Sequence, residues 1–231
     1  MIKAVFFDLY QTLVGYEPPR EEIQAKAMRE FGVEIEPEAL RRPIVMADEY
    51  IYGEMSISPL SQRSDDDKQT LWMTYQKVLV EAAGIEPSNK LLKGLLGRMM
   101  QAKMELVTFD DVVPALTELQ GRGLILGLIS NIEKDILPTL EELGLARLLP
   151  VVVTSLDTGF SKPQPEIFRE ALKKAGVDAA AAIYVGDQYR VDMVGAAAAG
   201  MKGVLLDRGG YLDDMEDCPR ISSLAQVTEH L

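Results

Sequence analysis

The sequence predicts an α/β fold: a Rossmann-like parallel sheet flanked by helices, with an all-helical domain inserted after the first strand. Three observations predict it. The chain opens on a continuous apolar run at residues 2–8; from about 20 to 107 apolar residues recur at helical spacing; and after Asp111 short β-like runs alternate with helices. A continuous apolar run is what a strand buried on both faces shows, and strand–helix alternation implies right-handed crossovers in a parallel sheet. A chain of 231 residues suits one large domain carrying a sizeable insertion. The expected division is a core of residues 1–15 and 108–231 with a helical domain of residues 16–107.

Each element has its own warrant. Val5, Phe6 and Phe7 give the run at 2–8 its strand character. Ile23, Ala27 and Phe31 fall at i, i+4 and i+8, and Leu71, Trp72, Tyr75, Val78, Leu79 and Ala82 form one face of a helix over 70–83. The run Ser64-Asp65-Asp66-Asp67 reads as a loop and helix-start signal rather than a calcium site. No strand is expected between 20 and 107. Beyond it the pattern predicts helix 113–122, strand 124–130, helix 134–143, strand 150–154, helix 165–175, strand 181–186, helix 191–199 and strand 202–207. Segments 14–20 and 105–111 would be the hinge pair, and Met99, Met100 and Met104 would pack the helical domain against its stem.

Composition narrows the chemistry. Hydrophobic residues make up 47% and charged residues 26%, as in ordinary globular proteins. No apolar stretch approaches the ~18–20 residues needed to span a bilayer, and the opening run carries an acid, so it reads as a strand rather than a signal peptide. A cytoplasmic setting is expected. The single cysteine, Cys218, excludes an intrachain disulfide framework, and the single histidine, His230, lies beside the last residue. Serine–histidine–aspartate, cysteine–histidine and histidine-rich zinc machinery are thereby excluded, so carboxylates must carry the chemistry. A formal net charge of −12 disfavours nucleic acid and anionic membrane surfaces, while a small anion in a local positive pocket remains compatible. The sequence leaves the oligomeric state open.

In doubly wound sheets the site lies beyond the carboxyl ends of the strands. Asp8 ends the first predicted strand, Ser130 and Asn131 end the second, Lys162 follows the third and Asp187 the fourth. Singly, each has a structural explanation: a turn-capping acid, turn formers, a solvated lysine, acids at a helix N-terminus. Turns and caps do not explain why all five fall on one edge.

Four stretches, DLYQT (8–12), LISN (128–131), SKPQPEIF (161–168) and VGDQYRVDMVGAAAAGM (185–201), resemble in order and spacing the motifs of the haloacid dehalogenase superfamily of hydrolases. The resemblance covers the core, and the helical insertion is similar to that family's cap domain. It implies that Asp8 is a nucleophile that forms a covalent aspartyl intermediate. A carboxylate fixed at a strand end suits that role, because it needs no deprotonation at neutral pH. By the same resemblance Thr12, Ser130 and Asn131 donate to the transferring group, and Lys162 offsets the charge of nucleophile and substrate. Asp187, Asp8 and the backbone carbonyl of Tyr10 would hold a magnesium ion (Mg2+), with Asp192 behind them or ligating through water.

Phosphatases of the superfamily usually carry a second acid two residues after the nucleophile, where this chain has Tyr10. General acid–base help is typically worth ~10²–10⁴-fold, and a phenol of reference pKa ~10 is a poor base at neutral pH. A tyrosine there resembles the dehalogenase branch, where halide leaves without a proton. That branch is usually metal-independent, with Ser and Asn residues in the last motif, where this chain reads G-D-Q-Y-R-V-D. Three carboxylates against one lysine call for a cation, and magnesium would also recruit a phosphate dianion. The expectation is a magnesium-dependent phosphatase acting on a small phosphorylated metabolite through an aspartyl-phosphate, slow or restricted to aryl or acyl phosphates. A 2-haloacid dehalogenase is the alternative, and a non-catalytic binding or regulatory protein a third reading. Arg41 and Arg42 read as solvated helix residues. Tyr50, Tyr52 and Trp72 are candidates for lining a pocket, although aromatics at helical spacing more often belong to a core.

Overall fold

The computed structural model describes residues 1–212 and 217–231. The chain forms two compact units, Met1–Gly15 with Leu106–Leu231, and Tyr16–Glu105.

In chain order, β1 (Ala4–Phe7) and β2 (Val14–Glu17) are followed by helices α1 (Arg20–Glu30), α2 (Pro37–Ile57), α3 (Asp65–Ala82) and α4 (Asn89–Gln101). Then come β3 (Glu105–Thr108), α5 (Val112–Gly121), β4 (Ile125–Ser130), α6 (Leu137–Glu142), β5 (Val151–Thr154), α7 (Ser155–Thr158), α8 (Pro165–Ala175) and β6 (Ala182–Gly186). A π-helical turn, Tyr189–Met193, leads into α9 (Val194–Ala198), β7 (Lys202–Leu206), β8 (Arg220–Ile221) and a 3₁₀ segment, Leu224–His230.

In the first unit six strands form one sheet in the order β5-β4-β1-β6-β7-β8, and every pair is parallel. All carboxyl ends therefore share one edge. β1 lies in the middle and is buried along its whole length, because successive side chains enter opposite cores. Val5 and Phe7 join Leu116, Leu128, Ile183 and Leu224 on one face, while Phe6 joins Val153, Phe168, Tyr184 and Leu205 on the other. With helices over both faces, an apolar run without alternation is the stable choice.

The helical unit has its own core of Met28, Leu40, Ile44, Leu71, Leu79 and Leu95. Within it Asp48 is buried and accepts from the two terminal guanidinium nitrogens of Arg20, at 2.9 and 2.6 Å, with the Tyr75 hydroxyl donating at 3.2 Å. Trp72 is 37% exposed and meets Tyr75 edge-on, Tyr50 and Tyr52 are half-buried, and Arg41 is an exposed partner of Glu21.

Several expectations need correction. β3 begins at Glu105, inside the stretch expected to lack strands, and pairs with β2 in a separate two-stranded sheet where the chain passes between the units. Its exposure alternates residue by residue, a period too brief over four residues to stand out beside the preceding helix. α3 starts five residues early: Ser64 is its N-cap in a reciprocal capping box with Asp67, so the run is a helix start as expected, and its acids form the first turn rather than a preceding loop. The helix expected over 191–199 is split into the π-helical turn and α9. Met100 is 79% exposed.

Candidate active site

Asp8 follows β1 directly, and its N–H donates to the Val185 carbonyl at 2.9 Å, so strand pairing continues past the strand end and fixes its backbone. The loop turns sharply after it, with Gln11 in the left-handed region at φ 62°, and brings Thr12 back beneath the edge, fully buried. From β4, Ser130 donates its hydroxyl to Asp8 Oδ1 at 3.3 Å.

Lys162 is buried in the segment after α7, and Asn131 holds its backbone from both sides. The Lys162 N–H donates to Asn131 Oδ1 at 2.7 Å, and Asn131 Nδ2 donates to the Lys162 carbonyl at 3.0 Å. Asn131, expected to donate to the transferring group, braces the lysine with its oxygen and one of its two amide protons. Lys162 Nζ lies 2.6 Å from Asp8 Oδ1, 2.6 Å from Asp192 Oδ1 and 2.8 Å from the Tyr184 hydroxyl.

Asp192 is fully buried on the π-helical turn. Its Oδ1 faces Lys162 and Tyr184, and its Oδ2 accepts the Gln188 N–H at 3.0 Å. Gly186 makes room for it, since a Cβ there would stand 2.2 Å from Asp192 Oδ2. Asp192, expected behind the metal ligands or ligating through water, bonds to the lysine, the phenol and its own turn.

The electrostatics follow from this packing. Burial pushes the Asp8 pKa up, the Lys162 ammonium pulls it down and Asp192 pushes it up again, with a net rise. Burial works against the charge of Lys162, but Asp192 and Asp8 outweigh it and hold its pKa above that of an ordinary lysine. Lys162 therefore stays charged, and it offsets repulsion between Asp8 and Asp192.

Asp187 directly follows β6. Its Oδ1 accepts the Thr12 hydroxyl at 3.1 Å and its Oδ2 accepts Gln188 Nε2 at 2.8 Å. Since a carboxylate only accepts, the Gln188 amide must present its NH₂ to Asp187, which leaves the buried Gln188 Oε1 without a hydrogen-bond partner. No group of three or more His, Cys, Asp or Glu side chains suited to a metal occurs among the described residues. Magnesium does not need one: it is held by one or two carboxylates, with waters and substrate phosphate oxygens completing an all-oxygen shell. The donors here are all hard oxygens, and an ion's water shell would supply the donor that Gln188 Oε1 lacks. The residues fit magnesium.

The sequence reading overlooked Tyr184, Gln188 and Arg208. Tyr184 hid within an apolar strand, although a buried tyrosine ordinarily needs a partner for its hydroxyl. Arg208, two residues past β7, binds Asp111 through two nitrogens at 2.9 Å each and donates to the Thr12 carbonyl at 2.8 Å. A charged residue beyond a strand's carboxyl end was the available signal.

Comparison with known proteins follows the same lines. A family model described as haloacid dehalogenase-like hydrolase matches residues 2–200. A glyceraldehyde 3-phosphate phosphatase from Methanopyrus kandleri is 31% identical over 218 residues, covering 92% of this chain and 87% of its own. A ribulose-1,5-bisphosphate 5-phosphatase from Halopiger xanaduensis is 28% identical over 232 residues, covering 98% and 94%. The crystal structure of a 2-haloacid dehalogenase from Pseudomonas syringae pv. Tomato superposes with a TM-score of 0.57 at 29% identity, over 99% of this chain and 97% of that one.

Proposed function

Because the chain belongs to the haloacid dehalogenase-like hydrolases, we propose that it is a magnesium-dependent phosphatase that cleaves a small phosphorylated metabolite through an aspartyl-phosphate on Asp8. The observation that carries this reading is Asp187. A second acid tied by Thr12 to the loop of the nucleophile supplies the additional carboxylate that a metal-dependent phosphatase needs and a haloacid dehalogenase does not. The names of the two phosphatase relatives support small phosphorylated sugars as the substrate class. Among the described residues no helix is long and apolar enough to cross a membrane, and the cytoplasm, where such metabolites occur, is the proposed setting. The helical unit is the proposed cap.

Asp8, Asp187 and the carbonyl of Tyr10 would hold Mg2+, which supplies charge neutralisation at the phosphoryl oxygens when bound. The rest is done by the chain. A carboxylate oxygen of Asp8 attacks phosphorus, the bond from phosphorus to the leaving oxygen breaks, and water then attacks the aspartyl-phosphate to release phosphate and restore Asp8. Lys162 favours the ionised form of Asp8 and holds it in place, and Ser130 steadies the same oxygen. Tyr10, half-buried at the position of the usual second acid, can give a proton to the leaving group but is a weak base toward water. Aryl and acyl phosphates, which leave without a proton, are the favoured esters.

The dehalogenase reading is second, favoured by Tyr10 and by the relationship to the Pseudomonas enzyme. One substrate panel separates the two: an aryl phosphate, an alkyl phosphate and 2-chloropropionate, each with magnesium and with chelator. Magnesium-dependent release of phosphate, faster from the aryl ester, supports the proposal. Chloride release that survives chelation overturns it in favour of the dehalogenase, and no turnover with magnesium still bound indicates a binding protein.

A further inference from the structure

Lys162 carries three ammonium protons and has three acceptors within 2.8 Å: Asp8 Oδ1, Asp192 Oδ1 and the Tyr184 hydroxyl. The lysine offers no acceptor of its own, so the phenol oxygen must accept from it. The phenol's single proton then goes to the Ile129 carbonyl at 3.0 Å or to Asp192 Oδ1 at 3.2 Å. Every donor is spent inside the protein. We propose that Tyr184 is a positioning residue that takes the third proton of Lys162 and so aims the ammonium at Asp8 and Asp192. Resting on the phosphatase reading, this makes the Tyr184 hydroxyl the group that fixes where Lys162 stands beside the nucleophile.

The ring is built to hold that oxygen still. Tyr184 is fully buried in β6, its ring meets Phe168 edge-on at 5.1 Å between centroids, and Lys162 Nζ lies 5.4 Å from its centre. The Ile129 carbonyl belongs to β4, one residue before Ser130, so one hydroxyl links the two strands on either side of β1 at the level of the nucleophile.

The variant Tyr184→Phe keeps the ring and its contact with Phe168 and removes only the oxygen. In protein labelled with ¹⁵N-lysine, the wild type should show a slowly exchanging side-chain ammonium signal, assigned to Lys162 by its loss in Lys162→Met, and Tyr184→Phe should speed its exchange. Against an aryl phosphate, kcat should fall roughly ten-fold or more, with KM and the magnesium midpoint unchanged within about two-fold, because only the aim of Lys162 on Asp8 has loosened. Unchanged ammonium exchange overturns the proposal, as does a parallel drift of kcat, KM and magnesium midpoint, which indicates a merely structural hydroxyl. A wild type without phosphatase turnover overturns the phosphatase reading alone, and the ammonium signal still decides the role of Tyr184.

Discussion

The Thr12 hydroxyl donates to Asp187 at 3.1 Å although 175 residues separate the two in sequence. That bond joins the loop after β1 to the loop after β6, two adjacent strands in the middle of the sheet. It brings the two acids assigned to magnesium onto neighbouring loops. Asp187 is half-buried, while Asp192 is fully buried against Lys162.

Asp8→Asn should abolish turnover and leave the fold intact. The amide oxygen still accepts from Lys162, and the replacement removes a buried charge whose pKa burial had raised. Thermal denaturation beside an activity assay checks both halves, and a large loss of stability would contradict the assignment.

Lys162→Met should lose stability as well as activity. It leaves Asp8 and Asp192 buried with their charges uncompensated, and removing one member of a buried ion pair costs about 3–5 kcal/mol. Urea denaturation of the two variants side by side should rank Lys162→Met well below Asp8→Asn.

Tyr10→Asp should raise hydrolysis of an alkyl phosphate by about ten-fold or more, since general acid–base help is what the phenol lacks. The aryl phosphate rate should change less. No gain on the alkyl ester would mean that Tyr10 serves packing or substrate choice.

Arg208→Gln should reveal a pH-dependent anchor. Burial alone would raise the Asp111 pKa, but hydrogen bonds from Arg208, Ser223 and the Leu224 N–H, together with the Arg208 charge, hold it below the usual carboxylate range. A depressed carboxylate adds stability above its unfolded pKa of about 3.9, and that stability is lost as pH falls through the lower folded value. At pH 7 the variant should be weaker by about 1–2 kcal/mol, the pair being partly exposed. The gap should close as pH drops below about 4 in denaturation curves.

How much of this was legible in the sequence depends on the type of signal. β1 could be read because a strand buried on both faces is continuously apolar, and the positions of Asp8, Ser130, Lys162 and Asp187 followed from the strand-end rule. What side chains do to one another could not be read. The bonds between Asn131 and the Lys162 backbone, and the room that Gly186 leaves for Asp192, join residues too far apart in sequence or too particular in packing to show as a pattern. β8 and the π-helical turn were out of reach, since two residues carry no periodicity and a widened turn leaves the helical pattern almost unchanged.

The most direct test of the central claim is to quench the enzyme during turnover of an aryl phosphate with magnesium, reduce it with borohydride and map the peptides by mass spectrometry. Attack by Asp8 predicts homoserine at position 8, formed only when substrate and magnesium are both present and absent from Asp8→Asn. Steady turnover with an unmodified residue 8, or homoserine at another carboxylate, would contradict it.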